Sequence, residues 1–416
     1  MLFRYSRLCG TASDAVDAVK LETFSLGERY SMGCFSKKKR VMIIAGETSG
    51  DLHGAKLVKA MQKNSKELFF CGIGGQALKE TGVNILIDAR DISVVGITEV
   101  FSKIPTILRS LRMVKKTFKT MRPDLLILID FPDFNLHVAA TAKKMGIPVL
   151  YYISPQIWAW RPGRVKKIDK LVDHMAVILP FEEDFYRKQK IPVTFPVTFV
   201  GHPLLENSLP TKERIEEKWM DDILTIGLLP GSRHGEIQRH LPVMIDAARI
   251  LLKKLETVKF IISLSPDVRE EHVKEMVKKH KGAADFEIVA GNVRNVFERS
   301  KVVMAVSGTV TLESAISGTP MVIIYKVSPV SFRLGKAMIR VKHIGLVNLI
   351  AGKEIVPELI QEDASSTRIS DTVFDMLSDP SGLKQLSLDL LALKDKLGGP
   401  GASERVADIA HRMLER

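Results

Sequence analysis

Cysteine is scarce in this chain: Cys9, Cys34 and Cys71 are all it has in 416 residues. An odd count with no metal-ligand spacing excludes a disulfide framework and a thiolate metal site, and fits a reducing compartment. The ten histidines are scattered, with no HxxxH or HExxH spacing, so no metal site is expected. Aromatic residues make up only 6% of the chain, and no RNA-binding signature or zinc-finger spacing appears, so nucleic acid is not expected as a partner. No apolar run approaches the ~18–20 residues that span a bilayer. Acidic residues are also in deficit: 48 Asp and Glu against 61 Lys and Arg leave a net charge of +13. With nucleic acid set aside, that excess suits anionic lipid or phosphorylated substrates, or serves solubility.

What is present is a repeated strand–helix rhythm. Val41–Ala45, a run from Leu68, Leu125–Ile129, Val149–Ile153 and Met175–Leu179 read as buried parallel strands separated by helical segments. The texture then turns to Pro, Gly and charge, with a linker expected near Glu206–Glu217. The rhythm restarts at Leu224–Leu229, Phe260–Leu264, Phe286–Val289, Val302–Val306 and Met321–Tyr325. The expected fold is α/β, two doubly wound Rossmann-like domains over residues 37–210 and 211–366, followed by a helical tail over 367–416. Residues 1–36 read as an extension. The first ten hold Arg4 and Arg7 and no acid, as an organelle transit peptide does, whereas Asp14, Asp17, Glu22 and Glu28 suit a plain disordered terminus.

Chemistry concentrates where strands end. The most informative stretch is Asp130-Phe131-Pro132-Asp133-Phe134-Asn135 after one strand and Ser154-Pro155-Gln156-Ile157-Trp158-Ala159-Trp160-Arg161 after the next. Ligands bind at the carboxyl ends of parallel strands. Asp133 reads as an N-cap for the following helix. Asp130 has no such local job and is a candidate general base, the alternative being a hydrogen bond to a neighbouring loop. Trp158 and Trp160 suit the C–H faces of sugars, with at least one expected to plug the core. Arg161 and Arg164 suit phosphate. Gly46-Glu47-Thr48-Ser49-Gly50-Asp51 opens a helix, either as a ligand loop or as a tight turn with a Ser or Asp cap. Gly72-Ile73-Gly74-Gly75 reads as a sharp turn and not as a dinucleotide fingerprint.

In the second half, Gly231-Ser232-Arg233 follows a strand and offers backbone N–H groups, a hydroxyl and a fixed cation, a set that suits a diphosphate. Ser307-Gly308-Thr309 starts another helix whose N-terminus can stabilise a departing phosphate, with Glu313 one turn in to accept ribose hydroxyls. His202 is read either as lining the domain junction or as structural. Along Phe101–Met121, Ile104, Ile107, Leu108, Leu111, Val114, Phe118 and Met121 share one arc, and Arg109, Arg112, Lys115, Lys116 and Lys119 the adjoining one. That pattern fits either a helix lying on an anionic membrane or an ordinary helix with its apolar face on the sheet.

Taken together, these strings, with Leu229-Pro230-Gly231-Ser232-Arg233 and Asn348-Leu349-Ile350-Ala351-Gly352, resemble lipid-A-disaccharide synthases of the GT-B glycosyltransferase class over about residues 40–410. The resemblance implies that UDP-2,3-diacylglucosamine is joined to 2,3-diacylglucosamine 1-phosphate, giving a β-1,6-linked disaccharide 1-phosphate and UDP by inverting displacement. It implies Asp130 as catalytic base. Glu47, Ser49, Asp51, Trp158, Trp160, Arg161, Arg164 and Asn348 would contact the sugars. Gly231, Ser232, Arg233, Ser307, Gly308, Thr309 and Glu313 would hold UDP, and Ile107, Arg109, Arg112 and Lys116 the membrane. No cofactor or metal is implied, because an arginine and a helix dipole can do that charge work. A homodimer is implied, and the extension suggests a protein peripheral to a membrane in the mitochondrial matrix, or else in a plastid. The alternative enzymes are other UDP-sugar GT-B proteins, a UDP-N-acetylglucosamine 2-epimerase or a lipid-linked transferase. A different class of alternative is a non-catalytic lipid- or nucleotide-binding protein.

Overall fold

The apolar runs become two parallel sheets, and the order of strands decides where a ligand can sit. The structure is a computed structural model describing residues 38–416 apart from 66, 93–96, 161, 190–191, 207–209, 221–222, 267, 281–284, 329–331 and 334–340. The extension and Arg161 therefore lie outside the described residues. The first sheet holds β1 (Lys39–Ala45), β2 (Leu68–Gly74), β3 (Asn84–Asp88), β4 (Leu125–Ile129), β5 (Val149–Tyr152), β6 (His174–Val177) and β7 (Val197–Phe199), in the order β3-β2-β1-β4-β5-β6-β7. The second holds β8 (Thr225–Leu229), β9 (Lys259–Leu264), β10 (Phe286–Ala290), β11 (Val302–Val306), β12 (Met321–Tyr325) and β13 (Glu358–Ile360), in the order β10-β9-β8-β11-β12-β13. All pairings are parallel. Every residue of β4, β8 and β11 is buried, as expected of strands covered by helices on both faces.

Each sheet is doubly wound, with its order reversing at one point: between β1 and β4 in the first lobe, between β8 and β11 in the second. A crevice opens beyond the carboxyl ends of the strands at such a reversal. The chain thus offers two crevices, and both are rimmed by the loops that the sequence singles out.

The second half of the expected linker belongs to a helix, Lys212–Met220. Its buried Ile215 seats against Gly318, where a Cβ would come within 2.7 Å of the isoleucine methyl; that packing overrides the charged composition. The tail is helical from Ser366. The helix Ser366–Ser378 packs on His234–Leu252 in the second lobe. The last helix, Ala402–Leu414, returns to the first lobe and packs on Thr48–Asn64. Arg405 fixes that return, donating to the Val200, Pro400 and Gly399 carbonyls at 2.7, 2.9 and 2.8 Å. Glu206 accepts from the Ser403 amide and hydroxyl at 2.6 and 3.0 Å.

Candidate active site

Four strand ends supply the site. Glu47 follows β1 and Asp130 follows β4, the two strands that flank the first reversal point. Arg233 follows β8 and Ser307 follows β11, which flank the second. Glu47 occupies the N-cap position of the helix Thr48–Asn64 in extended conformation and makes no capping bond with its side chain, so its carboxylate is available to the cleft. Arg233 Nη2 lies 3.3 Å from Glu47 Oε2. This ion pair joins a first-lobe strand end to a second-lobe strand end, and it brings the two predicted walls into contact.

Asp130 sits beside this pair. Its carboxyl is pushed up to about 7, first by burial and then by the charge of Glu47, while the Phe131 amide and Arg233 pull it down. A carboxylate poised near neutrality is suited to accept a proton and release it within one turnover. The backbone here is unusual. Asp130 and Phe131 have φ of 45° and 47°, both left-handed and neither glycine; such residues cost on the order of 1–3 kcal/mol each and persist only where the surroundings impose them. Pro132 begins the next helix at its first position and denies Phe131 the right-handed helical conformation. The Phe131 ring lies over Gly46, where a Cβ would approach it to 2.3 Å; the glycine is required by this close approach.

Several predicted ligands are structural instead. Asp51 is buried, and its carboxylate accepts the backbone N–H groups of Gly75, Ala77 and Leu78 at 2.6, 2.9 and 3.2 Å. It clamps the loop after β2, and its oxygens are not turned to a sugar. Asn348 is fully buried and fully bonded: its amide donates to the Val356 carbonyl and Glu358, and its oxygen accepts from Ile355 and Val356. It ties a loop together. Trp158 is 8% exposed, stacks edge-on against Phe181 and donates its indole N–H to Glu182 at 3.1 Å. It is the tryptophan that plugs the core, and Trp160, 36% exposed, is the one at the surface. Asp133 is not an N-cap, because Phe131 holds that position; its exposed carboxylate pairs with Arg164 at 2.6 Å, and the Arg164 guanidinium lies 6.0 Å from the Trp160 ring centre. Ser49 is exposed in the first turn of its helix.

In the second lobe, the turn before the helix His234–Leu252 is already filled. Glu236 accepts the Ser232 and Arg233 amides at 3.2 and 3.3 Å, and Gly231, at φ 111°, leaves room for that carboxylate where a Cβ would lie 2.6 Å from it. The turn's N–H groups are thus not open to phosphate as expected, although the Arg233 guanidinium is. The other turn is open. Gly308 carries no side-chain cap for the helix Thr309–Ile316, and Gly308 and Thr309 are exposed. Uncapped helix N–H groups attract an anion. Ser307 donates to the Ile344 carbonyl at 3.4 Å. Glu313 is pushed up to about 6 by burial, and none of the hydrogen bonds or ion pairs of the described residues uses its carboxylate.

Sequence reasoning missed Glu182, Tyr151 and Glu236 as parts of this region, and it quoted Asn135 without giving it a role. Glu182 is 1% exposed, accepts from Trp158 and from the Ile178 and Leu179 amides, and is pushed up to about 7, mainly by burial. A glutamate three residues past the apolar run Met175–Leu179 was the signal available. His202 is structural: it is buried, its Nδ1 accepts from the Leu204 amide, and burial pushes its imidazole down to about 3.

The sequence model of a family described as lipid-A-disaccharide synthetase matches residues 41–398. The lipid-A-disaccharide synthase of Syntrophus aciditrophicus is 47% identical over 382 residues, 91% of this chain and 98% of that protein. The chain belongs to the lipid-A-disaccharide synthase family. The synthase of Geobacter sulfurreducens is 44% identical, covering 90% and 97% of the two chains, and that of Coxiella burnetii 40%, covering 90% and 99%. Members of this family are glycosyltransferases. Among solved structures, the UDP-GlcNAc 2-epimerase of Neisseria meningitidis superposes with a TM-score of 0.61 at 12% identity, over 90% of this chain and 100% of that one. MurG of Acinetobacter baumannii superposes at 0.56 and 16%, over 90% and 99%. These two likenesses establish the two-lobed GT-B fold.

Proposed function

We propose that this chain joins UDP-2,3-diacylglucosamine to 2,3-diacylglucosamine 1-phosphate as an inverting glycosyltransferase. The observation that carries the reading is the meeting of Glu47 and Asp130, at the reversal point of one sheet, with Arg233, at the reversal point of the other. Asp130 takes the proton from the acceptor 6-hydroxyl. That oxygen attacks the anomeric carbon from the face opposite the diphosphate, the bond from that carbon to the diphosphate oxygen breaks, and UDP leaves with the electron pair. An α-linked donor gives a β-product. Arg233 and the uncapped Thr309 helix end meet the charge that develops on the leaving diphosphate, and Glu313 accepts ribose hydroxyls. No metal is assigned a step, and turnover is expected to survive EDTA. Trp160 with Arg164 forms the acceptor side, with Glu47 between the sugars.

The test is incubation with both acylated glucosamine substrates and mass spectrometry for a tetra-acyl disaccharide phosphate. Release of free sugar from UDP-N-acetylglucosamine without acceptor would instead point to an epimerase.

The reading extends to the membrane. No helix of the described residues is long and apolar enough to cross one. On the helix Ile97–Met121, however, Ile104, Leu108 and Met113 are 40%, 46% and 42% exposed beside exposed Arg109, Arg112 and Lys116. Ile107, expected among the membrane contacts, packs against the core instead. Reversing charge at Arg109, Arg112 and Lys116 should weaken binding to anionic vesicles severalfold; unchanged binding would leave this face with no lipid role. For residues 1–36 we keep a mitochondrial matrix address, checked by where a fluorescent protein fused to them goes.

A further inference from the structure

The strained turn that carries Asp130 is held by two side chains to which nothing has assigned a role. Tyr151 is fully buried in β5, and its hydroxyl donates to the Asp130 carbonyl at 2.6 Å. Asn135 is fully buried in the first turns of the helix Pro132–Lys144. Its amide nitrogen donates to the same carbonyl at 2.7 Å and to the Ile129 carbonyl at 3.2 Å. One carbonyl oxygen thus receives two donors, from two different elements. The cost is visible on Asn135, whose Oδ1 is buried with no hydrogen-bond partner. A buried unpaired acceptor destabilises the fold, and it is added to two left-handed residues that are not glycine. A strand end with no task would adopt an ordinary turn and avoid both costs.

The geometry assigns Asn135 and Tyr151 as positioning residues for the transfer reaction: by pinning the Asp130 carbonyl, they turn the Asp130 carboxylate toward Glu47 and Arg233 and keep it there. Both side chains are fully buried, so neither is placed to touch substrate. The remaining restraints are two backbone hydrogen bonds and one ring contact. The Asp130 amide donates to the Tyr152 carbonyl at 3.3 Å, the Asn135 amide to the Phe131 carbonyl at 3.1 Å, and the Phe131 ring rests on Gly46. The bonds from Tyr151 and Asn135 can be removed by substitution without touching a backbone group.

This inference rests on Asp130 being the base, and the experiment separates the two ideas. Tyr151→Phe, Asn135→Ala and Asp130→Asn are compared by kcat, by KM for each substrate, and by the acid limb of the pH–rate profile. Misplacing a reacting group by about 1 Å costs on the order of 100-fold in rate. Tyr151→Phe should therefore lower kcat about 10- to 100-fold with the donor KM within about twofold of wild type. The acid limb should move below 7 as the loosened carboxylate gains water. Tyr151→Phe removes a single hydroxyl, so it keeps the test open if Asn135→Ala does not fold. A purely structural role would lower the melting temperature while leaving kcat and the limb in place, and that outcome overturns the positioning role. If Asp130→Asn itself retains turnover, the base assignment fails first. If Asp130→Asn is inactive and Tyr151→Phe is indistinguishable from wild type, only the positioning inference fails.

Discussion

Replacing Glu47 with Gln should move the pH profile of the enzyme in a defined direction. Asp130 is held near 7, about three units above an ordinary aspartate, which amounts to roughly 4 kcal/mol of preference for the protonated form. Burial is the larger cause and the charge of Glu47 the next; Arg233 opposes them. Glu47→Gln removes the second cause and also releases Arg233 from its partner at 3.3 Å, so both changes favour the ionised carboxylate. Burial remains, so the limb should shift by about one unit and stay well above the ordinary value. At pH 6 a base of pKa 7 is ionised in about one molecule in eleven, and one of pKa 6 in about one in two. The pH 6 activity, as a fraction of the plateau, should therefore rise about fivefold. The assay is kcat/KM for the disaccharide product from pH 5 to 9, reading the position of the acid limb and not its height, because Glu47 also lines the sugar site. A limb that stays in place or moves upward would refute the coupling of Glu47 to Asp130.

Other perturbations separate chemistry from scaffold. Asp130 has a folded pKa above its unfolded one, so wild type keeps full relative stability below about 4 and loses it as pH rises to about 7. Asp130→Asn removes that loss, and its melting temperature should exceed wild type at pH 8 and match it at pH 4; the same offset at both values would contradict the shift. Asp51→Ala leaves three backbone N–H groups without their acceptor, and unfolding should show a loss of about 2–4 kcal/mol with kcat per folded molecule retained. Trp158→Phe takes a donor from buried Glu182 and should lower the melting temperature, whereas Trp160→Ala should raise the acceptor KM with the melting temperature unchanged. The reverse pattern would exchange the roles of the two indoles.

The parts of this fold that could be read from the chain are those where one face of the problem is uniform. β4, β8 and β11 are buried along their whole length and therefore appear as unbroken apolar runs. β3, β7 and β13 lie at sheet edges and are only partly buried, and short half-exposed strands leave no such run; all three went unread. The place of Asp130 beside Glu47 and Arg233 was legible because a carboxylate at a strand end, two residues before a proline, has no neighbour in sequence to explain it. Asp51 and Asn348 were misread for the same kind of reason. Each is a polar residue in a glycine-containing string, but the groups that absorb them lie elsewhere. The partners of Asp51 are 24 to 27 residues away, and those of Asn348 are on the next loop and strand. Trp158 is settled by Glu182, 24 residues on. Glu236 was the opposite case: it lies only three residues from Arg233, and its carboxylate takes the N–H groups that a Gly-Ser-Arg turn seems to offer a ligand.

The most direct test of a two-walled site is turnover by Asp130→Asn measured alongside its affinity for UDP. With the base on the first lobe and the nucleotide cradle on the second, disaccharide formation should fall at least 1000-fold while UDP binds within about threefold of wild type. Turnover within tenfold of wild type, with UDP bound normally, would contradict the assignment of Asp130 as the proton acceptor.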